Sequence, residues 1–329
     1  MVQLTWPHAD TDWREILQQV EDCYFNIARE IALREPLLIV AQETERVQKL
    51  CTQRLEKEIC KNITFVHVPN NDTWARDHAF ITTKANGGNR LMDFAFNGWG
   101  LKFAADKDNM INRLVYQQGV LDGRYENHLD FVIEGGSIES DGAGTFMTTS
   151  SCLLSPNRNG TTSKKLVEQK LTDFFGAQRV LWLDDCGLAG DDTDGHIDTL
   201  ARFCARDTIA YVHCDNPSLP NYQEQAARIF TQLRTMRQAN GKPYRLIPLP
   251  MAQSEYDSDG NLLPATYANF LIINGAVLVP LYGHEAEDRM AMEQINKAFR
   301  GKREVVGINC RILIEQHGSL HCCTMQYPK

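Results

Sequence analysis

Near its C-terminus the 329-residue chain sets a cysteine directly after a histidine, in Gly318-Ser319-Leu320-His321-Cys322-Cys323-Thr324-Met325-Gln326. A thiol is the most capable ready-made nucleophile among the side chains, but only as thiolate, so it calls for a base or a cationic neighbour. Taken alone, the stretch reads equally well as a buried edge strand with two inert cysteines. Partners for the thiol must come from elsewhere in the chain. Three further segments concentrate acids and a histidine: Asn71-Asp72-Thr73-Trp74-Ala75-Arg76-Asp77, Glu134-Gly135-Gly136-Ser137, and Gly190-Asp191-Asp192-Thr193-Asp194-Gly195-His196-Ile197-Asp198. A fourth, His317-Gly318, leads into the cysteine, and the glycines permit close backbone approach to a ligand.

Each segment has an ordinary reading when taken singly. Arg76 and Asp77 would make a surface ion pair. The run Asp191 to Asp194 mimics part of a calcium loop, but the full spacing and the closing glutamate are missing. The stretch from Asp257 to Asn261 reads as a turn. Together the residues say more. A cysteine, a histidine and several acids form a poor metal site but a good guanidinium site, because that planar fork of N–H donors keeps its charge and calls for bidentate carboxylates. A papain-like arrangement of Cys, His and Asn would leave so many acids without a role.

These residues need a scaffold, and the hydrophobic pattern describes one. A first helix, capped by Asp10 or Thr11, runs through Trp13, Ile16, Leu17, Val20, Tyr24, Ile27, Ala28 and Ile31 and stops at Pro36. Beyond it a unit recurs: a strand pair, an amphipathic helix, then an apolar strand ending in a polar loop. The helices are expected near residues 43–58, 108–118, 163–175, 222–237 and 285–299, and the inner strands near 63–68, 129–133, 179–183, 244–249 and 304–309. The strand pairs fall at 79–83 with 90–96 (hinged on Asn86-Gly87-Gly88-Asn89), 144–155, 200–212, and 269–279 (hinged on Asn274-Gly275). Left over are Leu37-Leu38-Ile39-Val40-Ala41 and the segment around Cys322. Pairing them would join the first unit to the last and remove open sheet edges. The expected fold is therefore α/β, a single domain over 1–329: a five-bladed α/β propeller, its ring closed by N- and C-terminal strands. A doubly wound α/β sheet shows the same alternation.

The composition fits a soluble globular chain, with 43% hydrophobic and 23% charged residues. A net charge of −8, spread along the sequence, argues against nucleic acid or an anionic membrane surface as partner and leaves room for a cationic substrate. The first 13 residues lack a basic region followed by an apolar one, and no apolar run approaches the roughly 18–20 residues of a membrane span. Ten cysteines without an export signal point to free thiols in a reducing cytoplasm. Their spacing matches no structural zinc site, so no metal is expected.

Several segments carry a resemblance: Trp74-Ala75-Arg76-Asp77, Phe96-Asn97-Gly98-Trp99-Gly100, Glu134-Gly135-Gly136, Gly195-His196-Ile197-Asp198 followed by Ala201-Arg202-Phe203, Asn269-Phe270, and His321-Cys322 with Thr324 and Gln326. In order and over nearly the whole chain, they resemble the agmatine deiminase and bacterial peptidylarginine deiminase family. That resemblance implies the five-bladed pentein fold and a hydrolase acting on a guanidine. It implies Cys322 as nucleophile, His196 as general acid and base, and Glu134 orienting His196 and contacting a substrate nitrogen. Asp77 and Asp198 would grip the guanidinium, with Asn269 near the reacting centre and Trp74 and Trp99 lining the substrate. Cys323, on the opposite face by period-two alternation, would be inert. The family usually carries more glycine just before His-Cys than His317-Gly318-Ser319-Leu320 does, which bears on loop shape and tail selectivity.

The implied substrate is agmatine, hydrolysed to N-carbamoylputrescine and ammonia within polyamine synthesis through a covalent thiouronium intermediate, with no cofactor. A cationic tail would suit Trp6, Trp13, Asp10 or Trp99. Peptidylarginine or free arginine is the alternative substrate, and an amidinotransferase or a non-catalytic binder of the same fold are more remote readings. A homo-oligomer is compatible with all of them.

Overall fold

Two strands made wholly of buried residues, Val2–Thr5 and Leu37–Ala41, anchor the first part of the molecule. They lie side by side in parallel, and the second pairs in parallel with Ile63–His67. On the other edge, Val2–Thr5 pairs antiparallel with Thr324–Gln326, in the register Val2 to Gln326 and Leu4 to Thr324. Continuous apolar runs suit such parallel strands, which helices cover. The computed structural model describes residues 1–85, 87–160 and 163–328, so Asn86 of the expected first hinge lies outside the described residues.

The chain groups into two compact units, residues 1–135 with 320–329, and residues 136–319. In the first, the four-stranded sheet just described is joined by a second sheet, Ile81–Ala85 antiparallel to Gly88–Ala95 and the latter parallel to Arg124–Val132. The helix Leu17–Ala32 makes the crossover between the first two strands. It turns Val20, Cys23, Tyr24, Ile27, Ala28 and Ile31 inward at three- and four-residue spacing. Each large apolar side chain so buried contributes about 1.5–3 kcal/mol of transfer free energy. One core serves both sheets, with Leu38, Val40, Val66, Phe80, Leu91, Ile111, Val115, Met325 and Tyr327 among its members.

The second unit repeats one pattern three times: an antiparallel pair, a helix, and a parallel inner strand. The strands are Ile138–Ser140, Thr145–Thr149 and Arg179–Leu183, then Ala201–Ala205, Thr208–Val212 and Arg245–Leu249, then Leu271–Ile272, Ala276–Leu281 and Glu304–Asn309. The crossover helices are Lys164–Phe175, Pro220–Leu233 and Glu285–Ala298. Local chemistry marks their ends. Ser163 caps the first through its hydroxyl on the Leu166 N–H, and Gly176 leaves it in the left-handed conformation at φ 70°. Proline opens the second.

Three expectations are corrected. Leu37–Ala41 does not pair with the C-terminal segment, because Val2–Thr5 stands between them; that four-residue strand is too short to show a period of its own. The expected strand pair at 144–155 pairs instead with Ile138–Ser140, and Ser150–Leu153 is a helical turn capped by Thr149. Thr11 and Asp10 do not cap the long helix, since a 3₁₀ turn at Arg14–Ile16 precedes it. The described sheets are small and separate, and the fold is α/β. All ten cysteines are free. Among the described residues, no helix is long and apolar enough to cross a membrane.

Candidate active site

Cys322 lies in a turn rather than in the strand. The N–H and the hydroxyl of Thr324 both bond the His321 carbonyl at 3.0 Å, closing the chain back just ahead of Thr324–Gln326. Cys322 is 6% exposed and Cys323 fully buried. Period-two alternation therefore does not decide between the two thiols. Burial does: Cys323 lies against the Tyr24 hydroxyl, and desolvation holds its thiol well above the ordinary range, which keeps it protonated and unreactive.

The turn Ala75–His78 is bonded to this segment. The Arg76 N–H donates to the Cys322 carbonyl at 3.0 Å. Its guanidinium donates to the His321 carbonyl (3.4 Å), to Met325 Sδ (3.2 Å) and to Gln326 Oε1. Arg76 is buried and faces the C-terminal segment, so it is not the surface ion pair that its neighbour Asp77 suggests. Gly135 explains its own identity here: a Cβ at that position would fall 2.2 Å from the Arg76 carbonyl oxygen and 2.7 Å from Met325 Cε. The glycine of Glu134-Gly135-Gly136 thus serves an approach between backbones rather than an approach to ligand, and it places the fully buried Glu134 next to it.

Asp77, the next residue in the turn, is buried and accepts a hydrogen bond from the Trp99 indole N–H at 3.0 Å. Trp99 is held in an unusual backbone. Gly98, Trp99, Gly100 and Leu101 all have positive φ (66°, 55°, 84° and 70°), and the Asn97 side chain accepts the Gly100 N–H at 3.0 Å. For a tryptophan this conformation costs about 1–2 kcal/mol, an expense that recurs where a side chain must be aimed. The indole is wedged edge-on between Phe96 (5.0 Å) and Phe103 (5.6 Å). Trp74 points its N–H at Asp72 Oδ2 (2.9 Å), and Asp72 also takes the Thr73 N–H at 2.7 Å. Burial outweighs these bonds and pushes the Asp72 carboxyl up to about 6. Burial also pushes His78 down to about 3, so it is neutral at physiological pH.

Trp6 and Trp13, expected beside a cationic tail, are both fully buried. Trp6 donates to Glu21 (2.9 Å) and packs on Tyr24 and Phe25, and Trp13 donates to Thr73 (3.1 Å) beneath Trp74. They brace the turn and its carboxylates from behind. Asp10 is exposed and pairs with Gln42.

In the second unit, His196, Asp198 and Asn269 are all fully buried. The His196 N–H bonds Thr193 Oγ1 (3.0 Å), its carbonyl accepts from Thr199 Oγ1 (2.8 Å), and Asp198 sits in the 3₁₀ turn that follows. The acids before it shape the loop. Asp191 accepts from Gly195 N–H (2.7 Å) and Thr193 Oγ1 (2.6 Å), and Asp194 pairs with Arg158 at 2.6 Å. Thr266, three residues before Asn269, ties that segment to the turn after Asp198 through its hydroxyl on the Thr199 carbonyl (2.8 Å). Arg202 straddles Asn269, donating to the carbonyls of Ala268 (3.3 Å) and Phe270 (2.8 Å) while Glu139 holds its Nε at 2.8 Å. Arg76, Arg202, Asp72 and Thr266 support the candidate residues, a part that their residue types alone did not mark. Three of them stand inside the quoted motifs: Asp72 and Arg76 in the segment that ends at Asp77, and Arg202 in the one that follows Asp198.

The chain matches the Porphyromonas-type peptidyl-arginine deiminase family over residues 1–328, and it belongs to that family. A protein of Enterococcus faecalis provisionally named agmatine deiminase is 32% identical, the match covering 100% of this chain and 93% of the relative. Among solved structures, a Porphyromonas gingivalis protein provisionally described as an arginine deiminase is 48% identical with a TM-score of 0.92, covering 100% of this chain and 95% of that one. A Cys-to-Ser variant of C. jejuni agmatine deiminase with substrate bound is 31% identical with a TM-score of 0.89, covering 98% and 92%.

Proposed function

We propose that the protein is a guanidine hydrolase whose substrate is agmatine, converted to N-carbamoylputrescine and ammonia. The observation that carries the reading is the turn Ala75–His78: it presents Asp77, held by the Trp99 indole, and through Arg76 it is bonded to the segment of Cys322. A carboxylate suited to a guanidinium and a nucleophile are thereby fastened to one piece of backbone. The agmatine deiminases among its relatives support the choice of substrate.

In the proposed reaction the Cys322 thiolate attacks the guanidinium carbon, which stays electrophilic while the cation is held and desolvated. Asp77 and Asp198 hold that charge, an electrostatic role. His196 protonates the departing nitrogen, so ammonia leaves and a thiouronium remains on Cys322. His196 then takes a proton from water, the hydroxide adds to the same carbon, and the C–S bond breaks to give the ureido product and the free thiol. Glu134 orients His196, and Asn269, Trp74 and Trp99 line the substrate. Thiol chemistry of this kind runs without metal or organic cofactor. The same reading takes the chain as one deiminase domain over 1–329, a five-bladed propeller of the pentein kind closed by its terminal strands, working in the cytoplasm in polyamine synthesis. The pairing of Val2–Thr5 with Thr324–Gln326 supports the closure.

A second reading has its own support. The 48% identical neighbour is described as an arginine deiminase, and the family description names peptidyl-arginine. Ammonia release from agmatine, free arginine and a blocked arginine peptide, with Cys322→Ala as control, decides between them. Preference for agmatine upholds the proposal, and preference for another guanidine moves the substrate while keeping the chemistry. Equal rates with and without Cys322 would overturn it.

A further inference from the structure

We infer that Arg76 is a positioning residue for the nucleophile: it fixes the turn that carries Cys322 relative to Asp77. The inference rests on the reading of Cys322 as nucleophile. Arg76 reaches across 245 to 250 residues of sequence to grip the C-terminal segment at several points. Its backbone N–H holds the Cys322 carbonyl (3.0 Å) and its Nε holds the His321 carbonyl (3.4 Å), so both carbonyls of the His-Cys dipeptide accept from this one residue. Its two terminal nitrogens take separate acceptors, Met325 Sδ and Gln326 Oε1, beyond the turn.

Only a planar fork serves these acceptors at once, and the single ammonium of a lysine cannot. Beyond the turn, the segment is also held by the packing of Met325 and Tyr327 in the core. Its strand, Thr324–Gln326, is three residues long and ladders along one side with Val2–Thr5. The arginine's other face is locked as well, since its carbonyl lies where a Cβ of residue 135 would stand, at 2.2 Å. Asp77 follows Arg76 in the same turn and receives the Trp99 N–H. One helical turn therefore sets both the thiol's backbone and the carboxylate proposed to hold the guanidinium. Reaction by direct attack is sensitive to such placement, with a misplacement of about 1 Å costing on the order of 100-fold.

The test uses Arg76→Lys and Gln326→Leu in the full-length protein. The first keeps the charge and loses the fork, and the second removes one acceptor near the end of the chain. Turnover of the preferred guanidine is split into kcat and KM, and iodoacetamide labelling of each cysteine is followed by mass spectrometry. The expected result is a kcat lower by roughly 10- to 100-fold with KM within about twofold. Cys322 should label faster than in the parent protein while the buried Cys51 stays protected. Unchanged kcat and unchanged Cys322 labelling in folded variants would overturn the inference. So would a loss of kcat accompanied by labelling of Cys51, which would mark general unfolding. If the parent protein shows no Cys322-dependent turnover, the proposed function fails, and the labelling ratio alone then judges the hold of Arg76 on the turn.

Discussion

The bond from the Trp99 indole to Asp77 can be isolated with Trp99→Phe. Phenylalanine keeps an aromatic body between Phe96 and Phe103 and removes the N–H that reaches Asp77 Oδ2 at 3.0 Å. The backbone strain at φ 55° is the same for both residues, because each has a Cβ. What is lost is a hydrogen bond to a buried carboxylate, worth about 1.5–3 kcal/mol. The bond exists before any ligand arrives, so only the part that orients the carboxylate reaches binding, and at tenfold per 1.4 kcal/mol roughly 10- to 150-fold weaker binding of a guanidinium is the ceiling. The clean assay is calorimetric Kd for agmatine in a Cys322→Ser background, where no turnover intervenes, with and without Trp99→Phe. Had Trp99 acted only through its ring face on a cationic tail, phenylalanine would retain most of the affinity. A Kd within twofold of the parent would refute the role assigned to the indole N–H.

Other outcomes follow from the same geometry. Cys323→Ser should leave kcat/KM within about threefold, since that thiol is held protonated by burial and serine keeps a partner for Tyr24; a loss matching that of Cys322→Ala would sink the assignment of the nucleophile. Gly135→Ala must displace the Arg76 carbonyl or the Met325 methyl, so it should lower both melting temperature and activity, and wild-type values for both would contradict the packing described. Asp72, raised to about 6 in the folded protein from a usual 3.8, binds its proton more tightly when folded. Its contribution to stability is then full below about pH 4 and is lost as pH rises through 6. Asp72→Asn keeps an acceptor for the Trp74 and Thr73 N–H groups, so melting temperature against pH should lose its fall between pH 4 and 6, and an identical profile would count against the shift.

How much of this was legible beforehand varies with the range of the interaction. The inner strands Arg179–Leu183 and Glu304–Asn309 fell where the apolar runs placed them, and the helix Glu285–Ala298 followed from its spacing. Trp99 and Asp77 were each marked as substrate residues from the motifs. That the first donates to the second was not visible, because 22 residues and a left-handed turn separate them. Val2–Thr5 escaped notice because four residues show no usable period, and only its neighbours on both sides make it a strand. Trp6 and Trp13 looked like wall material for a cationic tail, since sequence gives an aromatic ring no address. Burial against Tyr24, Phe25 and Trp74 gave them one.

By itself, then, the sequence determined the α/β alternation, the residue types able to handle a guanidinium, and the family to which they belong. The first two are properties of local periodicity and of side-chain chemistry, and the third is carried by the resemblance of short motifs, so none needs a distant partner to complete it. The tertiary structure alone decided that Cys322 sits in a turn held by Arg76, that Cys323 is fully buried beside Tyr24, and that Gly135 lets two backbones touch. Those facts depend on segments some 59 to 299 residues apart meeting with defined orientation, and such meetings leave no trace in any short window of the chain.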